Sequence, residues 1–443
     1  MLVVLAAVIA ACGSHPKLEP RSGASSTAVA PTTSTPTRST AVAATTGQPT
    51  GPTTGPTNGK AAGLGAPVNV IGEKAVAAFD AAGRLRFSTP GGTPSGDGRR
   101  LVREAQSGER TLVEWYDLGD GSRLGSVELD AGRHLAAVSH DGRQVALVDG
   151  DYPGSPGAGG ASVRGRATTT ITVATLGGAA PVSSTLTGNF WPEAFTLSDD
   201  YVATIELLPA LAPTNYRVRL VAIGSGEPPA LPLAWNTKTA LDETMAGLRG
   251  DHVATGDGQY LYTLYRNEGG ESFVHALDLS YGGQHCIDLP VGLGLDHLPG
   301  TIAASTDGSQ LYVLSANGRL ATIATHTHDA PTGTTSPDPE VVAVSDLHAD
   351  SAGAVPHLAV AGRLVDALLG ARLVVVDPAG GPVETRGLVG PVDVVGVVDG
   401  TPPLVAIAAG DRVWRADGTP GELTVPVGLG TVVAITDGFG RGA

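Results

Sequence analysis

The sequence predicts an all-β fold, a closed ring of about seven four-stranded sheets, behind an N-terminal signal segment and a disordered linker. Three observations predict it. The 443 residues include 62 Gly and 32 Pro, punctuation dense enough for many short strands and turns rather than long helices. Strand formers (Val, Ile, Thr) are present while Phe, Tyr and Trp together make only 4%. One phrase, a short apolar run, a polar turn and a second apolar run, comes back at near-regular intervals.

The phrase is "LAAVSHDGRQVALVDG" from Leu135, and its later copies are "AFTLSDDYVATIEL", "HVATGDGQYLYTLY" and "TIAASTDGSQLYVL". Their aspartates, Asp141, Asp200, Asp257 and Asp307, are 59, 57 and 50 residues apart. That spacing belongs to β-propeller blades, a little above the WD40 period and near that of kelch. The apolar run ahead of each Asp is nearly continuous, as for a strand buried on both faces. Ser/Thr-x-Asp-Gly then turns the chain: the carboxylate accepts from backbone N–H groups two residues on, and Gly takes the positive φ. Asp200 is followed by Tyr201, so the second turn must be built differently. A further strand follows each turn at once, giving a hairpin.

Two more strands complete a unit, as in Phe273–Leu279 and Gln284–Leu289 around Tyr281-Gly282-Gly283. Such a sheet cannot bury both faces alone, whereas stacking around an axis buries them and ring closure protects the edges. Weaker copies lie near Asp80, from His357 and from Val394. Dividing the roughly 377 residues after the linker by a step of about 54 gives about seven blades. The C-terminal "TVVAITDG" reads as an innermost strand without outer partners, and "VNVIGEKAVAAFDAAGRLRF" as strands lacking an inner one. Together they are expected to share a blade and lock the ring.

The repeats resemble the Ser-Pro-Asp-Gly units of bacterial WD40-like and YVTN-type β-propellers, over most of the chain after the linker. Here His140, Asp199, Gly256 and Thr306 stand where that pattern has Pro, and no Trp-Asp ending occurs. The resemblance implies the architecture and no particular activity.

The organisation expected is a signal segment at 1–12, a tether at 13–66 and a propeller at 67–443. "MLVVLAAVIAACGS" is an apolar run that stops at Cys12, and Ile9-Ala10-Ala11-Cys12 resembles the lipobox of bacterial lipoproteins. The resemblance implies diacylation of Cys12, and two acyl chains suffice for stable anchoring where one does not. No Lys or Arg precedes the run, a departure from the usual signal peptide. The next stretch is rich in Thr, Pro, Ser, Gly and Ala with no hydrophobic period, so no core offsets the entropy of ordering. As a coil of about 50 residues it spans on the order of 40 Å, and about 150 Å when stretched. Lipobox, tether and propeller together resemble secreted lipoproteins of high-G+C Gram-positive bacteria, which implies a place on the extracytoplasmic face of the cell membrane.

The formal net charge of −15 repels phosphate backbones, and no Lys/Arg cluster interleaved with aromatics offsets it, so nucleic acid is not an expected partner. No run of 18 or more apolar residues occurs. There is no P-loop, and the glycines of Gly157–Gly165 read as an exposed loop. His326-Thr327-His328-Asp329 is the one close histidine pair; without an adjacent third ligand it reads as a solvated strand end rather than a zinc site. Cys286 alternates within a strand pattern and reads as a buried small hydrophobe, with His285 pointing to the opposite face.

Propellers take ligands on the axis. By alignment of the repeats, His134, Glu193 and Asp251 fall at or near the entry of the inner strands and are the axial-mouth candidates, able in principle to hold a cation or act as acid and base. No catalytic set, cofactor or metal site is assigned. The expectation is a lipid-anchored, monomeric scaffold or binding module for a protein, peptide or cell-wall glycan. The alternative is a lactonase-like or other hydrolase on the same frame. Three or more convergent carboxylate, His or Asn side chains at the axis would favour the enzyme, and a plain channel would favour binding.

Overall fold

A computed structural model describes residues 66–437, apart from 73, 151–163, 179, 225–229, 234, 237–243, 268–270, 296–298, 326–338, 349–354, 389–391, 393, 399–403, 410–411, 416–421, 425–428 and 430–431. The expectations for the signal segment, Cys12, the tether, the loop at 157–163 and the histidine pair at 326–329 lie outside the described residues.

The strands form eight sheets, not about seven. In chain order, blade 1 holds Val68–Gly72, Ala75–Phe79 and Leu85–Pro90. Blades 2 and 3 span 93–130 and 133–187, and blades 4 and 5 span 189–222 and 248–288. Blades 6, 7 and 8 span 300–346, 357–387 and 394–424. Each is an antiparallel meander, with the first strand innermost in blades 2 to 8. Blade 4 has three strands, its outer edge touched by single bridges from Leu231 and Met245. Blade 5 gains an outer fifth strand, Trp235–Asn236, which runs parallel to Gly283–Asp288.

The miscount has a local cause. Blade 2 has an inner strand of only two residues, Thr93–Pro94, so the apolar run that announces the other copies is missing. Its turn, Ser95-Gly96-Asp97-Gly98, is nonetheless a full copy of the motif.

Closure follows the expected scheme. Val432–Asp437 returns as the inner strand of blade 1 and pairs antiparallel with Val68–Gly72. The cores confirm the ring, because each is shared by two successive blades. Ile71, Val76, Leu101 and Leu118 join blade 1 to blade 2. Val102, Trp115 and Leu147 join 2 to 3, and Ile171, Phe195 and Val202 join 3 to 4. Ile205, Tyr216 and Tyr265 join 4 to 5, and Leu264, Ile287 and Val313 join 5 to 6. Leu314 and Val374 join 6 to 7, and Leu368 and Ile407 join 7 to 8. Val70, Ala408, Val413 and Ile435 return blade 8 to blade 1.

In blades 3, 6 and 7 the second strand, rather than the inner one expected, is the more deeply buried, whereas in blade 5 the third strand, Phe273–Asp278, is buried throughout and in blade 4 the inner strand, Asn189–Phe195, is itself largely buried. Gln310–Ser315 and Leu364–Leu369 are buried along nearly their whole length, whereas Arg133–Val138 is mostly half-buried. The inner strand has the channel on one side, while the second strand is flanked by strands and sandwiched by neighbouring blades. Outer strands alternate, as Glu340–Asp346 does.

Candidate ligand-binding site at the turn mouth of the channel

The motif turns gather at one end of the channel. In blade 3 the Ser139 hydroxyl donates to Asp141 Oδ1 (2.8 Å), which also accepts from the Arg143 N–H (2.8 Å). Ser139 Oγ accepts from the Gln144 N–H (2.9 Å), so serine and aspartate clamp both sides of the bend. Gly142 at φ 71° makes the reversal. The same bonds recur at Ser95 and Asp97, Thr255 and Asp257, and Ser305 and Asp307.

Blade 4 is the exception anticipated, and the turn aspartate is not Asp200. Thr196 takes the serine's role, its Oγ1 accepting from the Tyr201 N–H (3.2 Å). Ser198 stands where the other copies have Asp, and Asp199 stands in the glycine position at φ 57°. Burial, then the Asp141 and Asp200 carboxylates, push the Asp199 carboxyl up to about 6. The repeat is thus broken where backbone strain and like charge coincide.

His140 ties three blades together. A Cβ placed on Gly96 of blade 2 or on Gly258 of blade 5 would lie 2.5 Å from its Nδ1, so the imidazole fits only because both positions are glycine. The His140 carbonyl accepts from the Asp97 N–H (2.9 Å), and Arg100 donates to the Asp141 carbonyl.

Inside this mouth lies a cavity of about 380 Å³ on the axis. Its wall includes Pro94, Val253, Ala303, Val360, Val395 and Ile435, inner-strand residues of six blades. Ser95, Ser305 and Thr306 form part of its rim. The wall is apolar and built of small side chains, which leaves room for a guest.

The three residues singled out from sequence sit deeper along the inner strands of blades 3, 4 and 5. His134 precedes its turn by five residues, which at the rise of a strand is about 16 Å. Its Nδ1 lies 3.3 Å from Glu104 of blade 2. Glu193 is buried and pairs with Arg249 of blade 5 (3.1 Å). Asp251 accepts from the Thr301 hydroxyl (2.6 Å) and the Ile302 N–H (3.2 Å) of blade 6. Each of these bonds ties one blade to its neighbour. His252 lines the same stretch, open to the channel yet surrounded by protein, and its pKa is lowered by desolvation and then by the Arg249 guanidinium. Cys286 is buried, its Sγ 3.9 Å from Met245 Sδ.

Sequence reasoning missed Ser95, Gly96 and the apolar cavity wall. The Ser-x-Asp-Gly text at Ser95 was the available signal. Which alanines and valines share a cavity is not encoded in any one repeat.

No family model matches the sequence, and no curated protein matches it as a relative. In structure the chain is similar to the β-propeller domain of Cps50 (Swd1) from Myceliophteria thermophila, at 11% identity and TM-score 0.35, covering 69% of this chain and 91% of that one. It is also similar to the periplasmic gluconolactonase PpgL of Pseudomonas aeruginosa, at 17% identity and TM-score 0.38, covering 76% of this chain and 97% of that one. A third likeness is to the dihydro-heme d1 dehydrogenase NirN, at 15% identity and TM-score 0.47, covering 86% of this chain and 77% of that one. Across its described residues the chain is a β-propeller of eight blades, closed by its two ends within one sheet.

Proposed function

We propose that this protein is an extracytoplasmic binding propeller, held to the membrane through Cys12 and taking its ligand in the apolar cavity at the turn mouth of the channel. The observation that carries the binding reading is the wall of that cavity: inner-strand residues of six blades meet there, and those residues are small and apolar. His134, Glu193 and Asp251 are each engaged by a residue of an adjacent blade. The anchor rests on Ile9-Ala10-Ala11-Cys12 and the Thr/Pro-rich stretch after it, which would hold the ring away from the bilayer.

The two halves of the proposal are tested separately. A neutral apolar dye, N-phenylnaphthylamine, should fluoresce on binding the protein, and Ala304→Phe, which fills the cavity, should abolish the signal. An undiminished signal in that variant places binding elsewhere and overturns the site. Cys12→Ala should move the protein from the membrane to the soluble fraction, and unchanged retention overturns acylation as the anchor.

A further inference from the structure

A second cavity, of about 570 Å³, opens between blades 6 and 7 on the same face of the ring. It meets the axial cavity at Ser305 and Thr306, which line both. The two compartments differ in chemistry. The axial one is walled by Val, Ala and Ile, whereas the second is walled by Asp307 and Gln310 of blade 6 and by Arg363 and Asp377 of blade 7. Tyr312 also lines it, and its hydroxyl donates to Gln310 Oε1. Burial and then the carboxylates of Asp307 and Asp377 push that phenol up to about 12, so negative charge from both blades acts on the Tyr312 hydroxyl. Asp307 is held ionised by the hydroxyls and N–H groups of its own turn. Two carboxylates against the single guanidinium of exposed Arg363 leave the compartment net negative, on a chain whose formal charge is −15.

We infer that the ligand is an amphiphilic cation: an apolar segment in the axial cavity, joined over the Ser305–Thr306 rim to an ammonium or guanidinium group held between Asp307 and Asp377. This rests on the axial binding site proposed above. An apolar tail gains from leaving water, while the head is attracted by two carboxylates that face the same compartment. A lysine or arginine beside apolar residues in a peptide has this chemistry, and so does a free alkylamine.

The test uses three probes in competition with N-phenylnaphthylamine on the purified full chain. Octylammonium should displace the dye, octanoate, with the same tail and opposite head, should do so at least tenfold less well, and a leucyl-lysine peptide amide should rank with octylammonium if the natural ligand is a peptide. Asp377→Asn should weaken octylammonium about tenfold, and Arg363→Ala should tighten it a few-fold, the opposite sign that a general loss of folding would not produce. Equal displacement by octylammonium and octanoate, with dye binding still abolished by Ala304→Phe, overturns the cationic class and leaves the axial site standing. Failure of the dye itself to bind overturns both. Should octylammonium bind and the peptide not, the amphiphilic cation stands and a free amine is its source.

Discussion

Val70 and Ile435 face each other across one antiparallel ladder, the first strand of the ring paired with its last. Both side chains are buried in the core that joins blade 8 to blade 1. The ring is therefore closed by backbone hydrogen bonds as well as by packing, because the last strand pairs the inner edge of Val68–Gly72. Ile435→Ala should destabilise the protein by about 3 kcal/mol, the usual cost of emptying a buried aliphatic site. Removal of residues 432–443 should lower the melting temperature further and expose the seam to limited proteolysis. A truncated chain that melts like the intact one would mean that the pairing contributes nothing to closure.

Asp199 occupies a glycine position at φ 57° beside the Asp141 carboxylate. Asp199→Gly restores the motif found in the neighbouring turns and should raise stability by about 1 kcal/mol. Asp199→Val, β-branched and ill suited to that region, should lower it by about 1–2 kcal/mol. Chemical denaturation of the two variants checks the pair of signs.

Two carboxyls give the fold a pH dependence. Asp199 and Asp366 are each pushed from the ordinary 3.8 to about 6, in both cases first by burial. Beside Asp199 the Asp141 and Asp200 carboxylates raise it further; beside Asp366 the Arg386 guanidinium opposes burial and Glu384 adds to it. Both groups bind their proton more tightly folded than unfolded. Their stabilising effect is complete below the ordinary carboxylate value and fades as pH rises through about 6. Asp199→Asn should recover about 1 kcal/mol at neutral pH, allowing for solvent screening of a half-exposed group, and should flatten this part of the profile. Melting curves across this range read it, and an unchanged slope in both Asp199→Asn and Asp366→Asn would contradict the assignment.

The Glu193–Arg249 pair spans blades 4 and 5 with the glutamate side chain buried. Glu193→Leu removes the carboxylate from the Arg249 guanidinium and should cost about 1–3 kcal/mol. Arg249→Met strands the buried Glu193 carboxylate and should cost about 3–5 kcal/mol, and the double variant should cost less than the two together, because the buried charge is then gone. Additive losses in a double-mutant cycle would show that the two side chains act independently.

His252 reports on the channel. Its pKa is lowered by desolvation and by Arg249, against the opposing pull of Glu193 and Asp251. Asp251→Asn keeps an acceptor for Thr301 but removes one carboxylate, so the His252 pKa should fall further. An NMR titration of the imidazole measures it, and a rise would mean that another group governs this histidine.

The sequence by itself determined the all-β class, the hairpin built around Ser/Thr-x-Asp-Gly, and the union of the two ends in one blade. These are legible because each depends on neighbours in the chain: a serine and an aspartate two residues apart clamp their own turn, and an inner strand without outer partners requires them from elsewhere. The number of blades was not legible, since Thr93–Pro94 is too short to show a hydrophobic run and its pairing is visible only in space. Nor was the identity of the strand buried on both faces, which depends on what stacks against it. His140 reaches glycines of two other blades, and Asp307 and Asp377 meet around Tyr312 from adjacent ones. Tertiary structure alone decided the cavity, because its walls come from different repeats, and the closure of the ring is what brings those walls together.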